Sequence, residues 1–66
     1  MEIFLNGRPD LSSENGTLLQ ALERRGLKPG EVVVEINKKI IPRDRFGLTA
    51  FTPGDRVEIL HFVGGG

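Results

Sequence analysis

Only one stretch of this 66-residue chain carries a helical period, and that stretch is too short to stand alone. Thr17 followed by Gln20 fits a capping box, in which the Thr17 side chain accepts from the Gln20 amide and the Gln20 side chain reaches back. Leu18, Leu19, Ala21 and Leu22 then form an apolar stripe, with Gln20, Glu23, Arg24 and Arg25 towards water. Arg24 and Arg25 suit the C-terminal end of the dipole, Gly26 supplies a left-handed stop, and Leu27 can fold back in a Schellman contact. Isolated helices shorter than about 12–15 residues are marginal in water, so this one must lie on a sheet.

The flanking segments supply that sheet. Met1 to Asn6 alternates, with Met1, Ile3 and Leu5 on one face and Glu2, Phe4 and Asn6 on the other. Asn6-Gly7 is a hairpin signal, Arg8 to Leu11 returns antiparallel, and Pro9 places that second strand at an edge. Lys28-Pro29-Gly30 breaks the chain before the β-branched run Val32 to Ile36, which reads as a central strand. Asn37-Lys38-Lys39 turns it into a short strand at Ile40-Ile41 that Pro42 ends. Arg43 to Gly47 reads as an irregular or single-turn connection with Phe46 anchored inward, and Leu48 to Phe51 as a brief edge strand. Thr52-Pro53-Gly54-Asp55 is a turn, and Arg56 to Val63 the final strand.

This order of elements predicts an α+β fold: a mixed sheet of about four or five strands with one helix packed on one face, the first and last strands adjacent and parallel. That arrangement is a β-grasp. The expected division is a domain over 1–63 and a flexible glycine tail over 64–66.

Composition narrows the function classes. Nine basic and nine acidic residues leave a net charge of zero, whereas a general nucleic-acid binder or a polybasic membrane anchor shows an excess of Lys and Arg. No apolar run approaches the roughly 20 residues that span a bilayer, and MEIFLNG lacks the pattern of a signal peptide. The expectation is a cytoplasmic protein that binds neither nucleic acid nor membrane. The chain has no cysteine and one histidine, so it offers no disulfide, zinc-thiolate site or cysteine nucleophile of its own. Asp10, Glu31, Glu35 and Asp55 show no spacing that fixes a metal. His61 has no carboxylate or nucleophile placed around it by the sequence and reads as a strand-packing residue. Lys38, Lys39, Arg43 and Arg45 form a local positive area, either a solvated face or a contact for an acidic partner.

The remaining signals converge on the last strand. Val57, Ile59, His61 and Val63 share one face, and Arg56, Glu58, Leu60 and Phe62 the other. If Val57 and Ile59 face the helix, Leu60 and Phe62 emerge on the uncovered side together with Phe4, as a candidate docking surface; alternatively Phe62 folds over the end of a small core. Gly64, Gly65 and Gly66 follow. Without Cβ atoms such a tail can run extended through a narrow channel, and its α-carboxylate, ionised at neutral pH, can attack the α-phosphate of a nucleotide to give an acyl adenylate. The tail is equally compatible with a frayed terminus or a trimmed linker.

Taken together, MEIFLNG, the Thr17 helix start, VEINKKIIPRDRF, PGDRVEI and HFVGGG resemble the thiamine biosynthesis sulfur carrier family of the ubiquitin-like β-grasp group. The resemblance implies a carrier rather than an enzyme. By it, Gly66 would be adenylated and then carry a thiocarboxylate, while Gly64 and Gly65 thread the partners' active sites. It implies no bound cofactor; ATP is used by a ThiF-like adenylating enzyme, sulfur comes from a donor such as a cysteine desulfurase system, and a thiazole synthase consumes it. Phe4, Leu60 and Phe62 would bind these partners, and the free protein is expected to be a monomer. Three other assignments stay open: the small subunit of molybdopterin synthase, a ubiquitin-like protein modifier and an RNA-associated β-grasp module.

Overall fold

The computed structural model describes residues 2–10 and 16–62. Strands β1 (Ile3–Leu5) and β2 (Arg8–Asp10) form an antiparallel hairpin. Asn6 and Gly7 both take positive φ, 50° and 83°, as a two-residue type I′ connection requires. Helix α1 (Leu18–Arg24) follows. Its capping box is complete, with the Gln20 amide donating to Thr17 Oγ1 at 3.2 Å and the Thr17 amide to Gln20 Oε1 at 2.9 Å.

The helix ends as its sequence dictates. At Gly26 φ is 71°, the Gly26 amide donates to the Glu23 carbonyl at 3.0 Å and the Leu27 amide to that of Leu22 at 2.9 Å, the two bonds of a Schellman motif. Arg25 does not extend to water. Its guanidinium folds back to the Ala21 carbonyl at 3.0 Å and to Asp10 at 2.8 Å, so the cation at the helix end also ties α1 to β2.

A 3-10 turn at Pro29–Glu31 leads into β3 (Val32–Ile36), then come β4 (Lys39–Ile40), a 3-10 segment at Arg43–Leu48 and β5 (Arg56–His61). The sheet order is β2-β1-β5-β3-β4. β1 and β5 run parallel, and the other three pairs are antiparallel. The chain's last strand is thus the middle of the sheet, and Pro9 sits on the edge strand, where its missing donor costs no ladder bond.

One face of the sheet is covered. Leu18, Ala21 and Leu22 of α1 pack with Ile3, Val32, Val34, Ile36, Val57, Phe46 and Phe51 in one buried cluster. One assignment near this cluster changes. Leu48 to Phe51 is not an edge strand: residues 43–48 are a 3-10 segment, and what remains is a single bridge between Ala50 and Thr17, with the Leu18 amide donating to the Thr49 carbonyl at 2.8 Å. The segment therefore closes over the start of α1 rather than joining the sheet. The return strand is described only to Asp10, and Leu11 lies outside the described residues.

Candidate functional site

β5 is held on both sides. Its antiparallel ladder with β3 runs from Val32 opposite His61 to Ile36 opposite Val57, and β1 pairs Phe4 with Arg56 and Leu5 with Val57. β1 then leaves for its turn, yet its hydrogen bonding to β5 continues through a side chain. Asn6 Oδ1 accepts from the Ile59 amide at 2.8 Å, and Asn6 Nδ2 donates to the Ile59 carbonyl at 3.4 Å. On the other side the Phe62 amide donates to the Glu31 carbonyl at 2.8 Å. The exit of β5 is thereby fixed immediately before Val63.

The entry of β5 is fixed by Asp55, a buried carboxylate. It accepts from the Thr52 amide at 2.8 Å, the Thr52 hydroxyl at 2.7 Å and the Asn37 side chain at 3.0 Å. Burial works against its charge, but the Thr52 amide, Thr52 hydroxyl and Asn37 amide outweigh it and hold the carboxyl below the usual aspartate range. Asn37 also accepts from the Arg56 amide at 3.0 Å. The β3–β4 turn therefore latches the start of β5; its two residues between the paired Ile36 and Lys39, Asn37 and Lys38, take φ of 53° and 69°, as a type I′ hairpin connection requires.

Along β5 the two faces separate as the alternation predicts. Val57 is 1% exposed and Ile59 packs against the core, whereas Leu60 and Phe62 are 58% and 53% exposed on the uncovered side. Phe62 does not fold over the core. Phe4 shares that side but is half-buried, with the Arg56 guanidinium 5.1 Å from its ring centroid, a cation–π distance. Because Phe4 is level with Arg56, four residues before Leu60, it stands about 13 Å along the strand from Leu60. The structure brings Leu60 and Phe62 together and leaves Phe4 apart.

Register adds residues that sequence reasoning missed. Val33 is directly opposite Leu60, Glu35 opposite Glu58, and Ile40 opposite Glu35, so Val33 and Ile40 join the uncovered apolar surface, Ile40 at 67% exposed. Their signal was present as alternation in Val32 to Ile36, but which face was open depends on pairing that no local pattern states. His61 is not packed: it is exposed at the end of β5, with Nε2 3.8 Å from Glu31 Oε1. Lys38, Lys39, Arg43 and Arg45 are all exposed. Among the described residues no group of three His, Asp or Glu side chains is placed to hold a metal ion, and no helix is long and apolar enough to cross a membrane. Gly64, Gly65 and Gly66, and with them the boundary between domain and tail, lie outside the described residues.

A five-stranded mixed sheet with one helix across it, and its final strand running up the centre to present whatever follows, defines a ubiquitin-like β-grasp protein. Residues 3–66 match the ThiS family model. The sulfur carrier protein ThiS of Bacillus subtilis is 38% identical over 63 residues, which cover 94% of this chain and 96% of that protein. The crystal structure of a thiamine biosynthesis protein (ThiS) from Geobacter metallireducens superposes with a TM-score of 0.78 at 32% identity, each chain covered in full. A thiazole synthase of Magnetococcus marinus is 38% identical over all 66 residues, and there this chain spans only 20% of the relative's length. The chain belongs to the ThiS family.

Proposed function

We propose that this protein is a sulfur carrier for thiazole formation in thiamine biosynthesis, with Gly66 as the group that bears the sulfur. The observation that carries the reading is the position of β5: the central strand, latched at Asp55 and pinned at Ile59 and Phe62, delivers Val63-Gly64-Gly65-Gly66 from a fixed point. The family match through residue 66 and the names borne by the Bacillus and Magnetococcus relatives support it.

In this reading the chemistry belongs to partners. A ThiF-like adenylating enzyme binds ATP, the Gly66 carboxylate oxygen attacks the α-phosphate, and pyrophosphate leaves. The resulting acyl adenylate is an activated carbonyl; the terminal sulfur of a persulfide on a donor such as a cysteine desulfurase system attacks it as AMP departs, and a thiol reductant then cleaves the acyl disulfide to free the Gly66 thiocarboxylate. A thiazole synthase then takes the sulfur from the thiocarboxylate. Gly64 and Gly65 add no Cβ to the segment that enters each active site. Leu60 and Phe62 offer the apolar contact that holds the partner while the tail is engaged, with Phe4 at its margin. The chain itself binds no cofactor and catalyses no step.

The test is pyrophosphate release from ATP by a ThiF-type enzyme with this chain as the only acceptor. Release that requires the chain, and disappears when Gly65 and Gly66 are removed, is the expected result. Release that persists with the truncated chain contradicts the proposal.

A further inference from the structure

The sheet register sets two like charges face to face. Glu35 and Glu58 are direct partners across β3 and β5 on the uncovered side, a geometry that puts Cβ atoms about 4.5–5.5 Å apart and is destabilising for like charges. Among the described residues neither carboxylate has an ion-pair partner. Arg56, on the same face two residues before Glu58, lies over the Phe4 ring instead. The acidic pair is bordered by exposed apolar side chains, Ile40 beside Glu35 and Leu60 and Phe62 towards the end of β5, with half-buried Val33 between them.

We infer that this face docks a protein partner that presents an arginine to the Glu35–Glu58 pair and apolar side chains to Ile40, Val33, Leu60 and Phe62. Two adjacent carboxylates suit the planar fork of a guanidinium, which can hydrogen-bond to both. The apolar border excludes water once the partner is seated, strengthening the charge contact. A second copy docked through the same face about a two-fold axis would bring another acidic pair towards the first, so the charge pattern fits a different protein. The inference rests on the carrier reading and specifies its docking step: the partner is the adenylating enzyme that receives the tail, and the acidic pair sets orientation while Leu60 and Phe62 supply contact area.

The experiment measures binding of the chain to a ThiF-type adenylating enzyme by calorimetry at about 50 and 300 mM NaCl, a range over which screening shortens markedly. Wild type is compared with Glu35→Gln, Glu58→Gln, the double variant and Leu60→Ala; each free chain is also melted. The double variant should bind about tenfold or more weakly at low salt and lose most of the salt dependence, yet melt at the same temperature as wild type or higher. Leu60→Ala should weaken binding at both salts and keep the salt dependence. A fall in melting temperature in the double variant that accounts for its weaker binding would make the pair structural and overturn the inference. Unchanged affinity in the double variant, with wild type still adenylated, overturns the docking inference and leaves the carrier reading standing. A wild-type chain that is neither bound nor adenylated overturns both.

Discussion

Replacing Asp55 by Ala removes an acceptor that holds the Thr52 amide at 2.8 Å, the Thr52 hydroxyl at 2.7 Å and the Asn37 side chain at 3.0 Å. Thr52 is exposed, so its hydroxyl recovers water. The Thr52 amide and Asn37 lose a charged acceptor beside the core, and Asn37 then holds the Arg56 amide less firmly. At about 1 kcal/mol per bond, somewhat more for a charged acceptor, the loss is about 2–3 kcal/mol. In a domain of this size that is a fall in Tm of about 10–20 °C. Urea unfolding followed by circular dichroism measures it directly, with an unchanged slope showing that stability alone has moved. A loss below about 0.5 kcal/mol, the scale of ordinary surface changes, would refute the latch. The pH dependence is a second check. Since hydrogen bonding holds the folded-state pKa of Asp55 below its unfolded value of about 3.9, the carboxylate contributes its stability fully above that value and loses it as pH falls through the folded pKa. The advantage of wild type over Asp55→Asn should therefore be greatest near neutral pH and shrink through the acid limb.

Thr17→Ala should cost about 1 kcal/mol by opening the capping box of α1, read in the same urea titration. Lys38→Gly should stabilise the fold by about 0.5–1 kcal/mol, because it relieves a lysine held at φ 69° in a turn whose other bonds come from Asn37; a lower midpoint would show that the lysine side chain contributes more than its backbone costs. Phe62→Glu should leave stability within about 0.5 kcal/mol while raising the KM for adenylation, and a large fall in Tm would instead place Phe62 in the core.

Much of this fold was legible because local signals agreed with the global arrangement. Thr17 and Gln20, the Gly26 stop, the Asn6-Gly7 turn and the alternation in β1 and β5 each named a structure that tertiary packing had no reason to override. The open face of β5 followed from phase alone, since Val57 and Ile59 can face the helix only if Leu60 and Phe62 face away. What escaped depended on register or on single side chains. Nothing local says that Glu35 meets Glu58 or that Ile40 lies beside them. Leu48 to Phe51 reads locally as a brief strand, but its partner is set by tertiary packing: Ala50 bridges Thr17 at the start of α1 and not a strand of the sheet. Asn6 reads as a turn residue, and its second role, bonding to Ile59 across 53 positions of sequence, has no local trace. His61 sits on the helix side of β5, opposite Val32 at the end of the ladder, yet it is exposed, which alternation alone does not state.

The central claim, that Gly66 carries the sulfur, is tested most directly by the intact mass of the chain after incubation with a ThiF-type adenylating enzyme, ATP and a sulfur donor. The full chain should gain the mass of one sulfur-for-oxygen exchange, mapped by fragmentation to Gly66, and the chain lacking Gly65 and Gly66 should gain none under matched conditions. Equal sulfur incorporation by the truncated chain, or incorporation mapped to any other residue, would contradict the account.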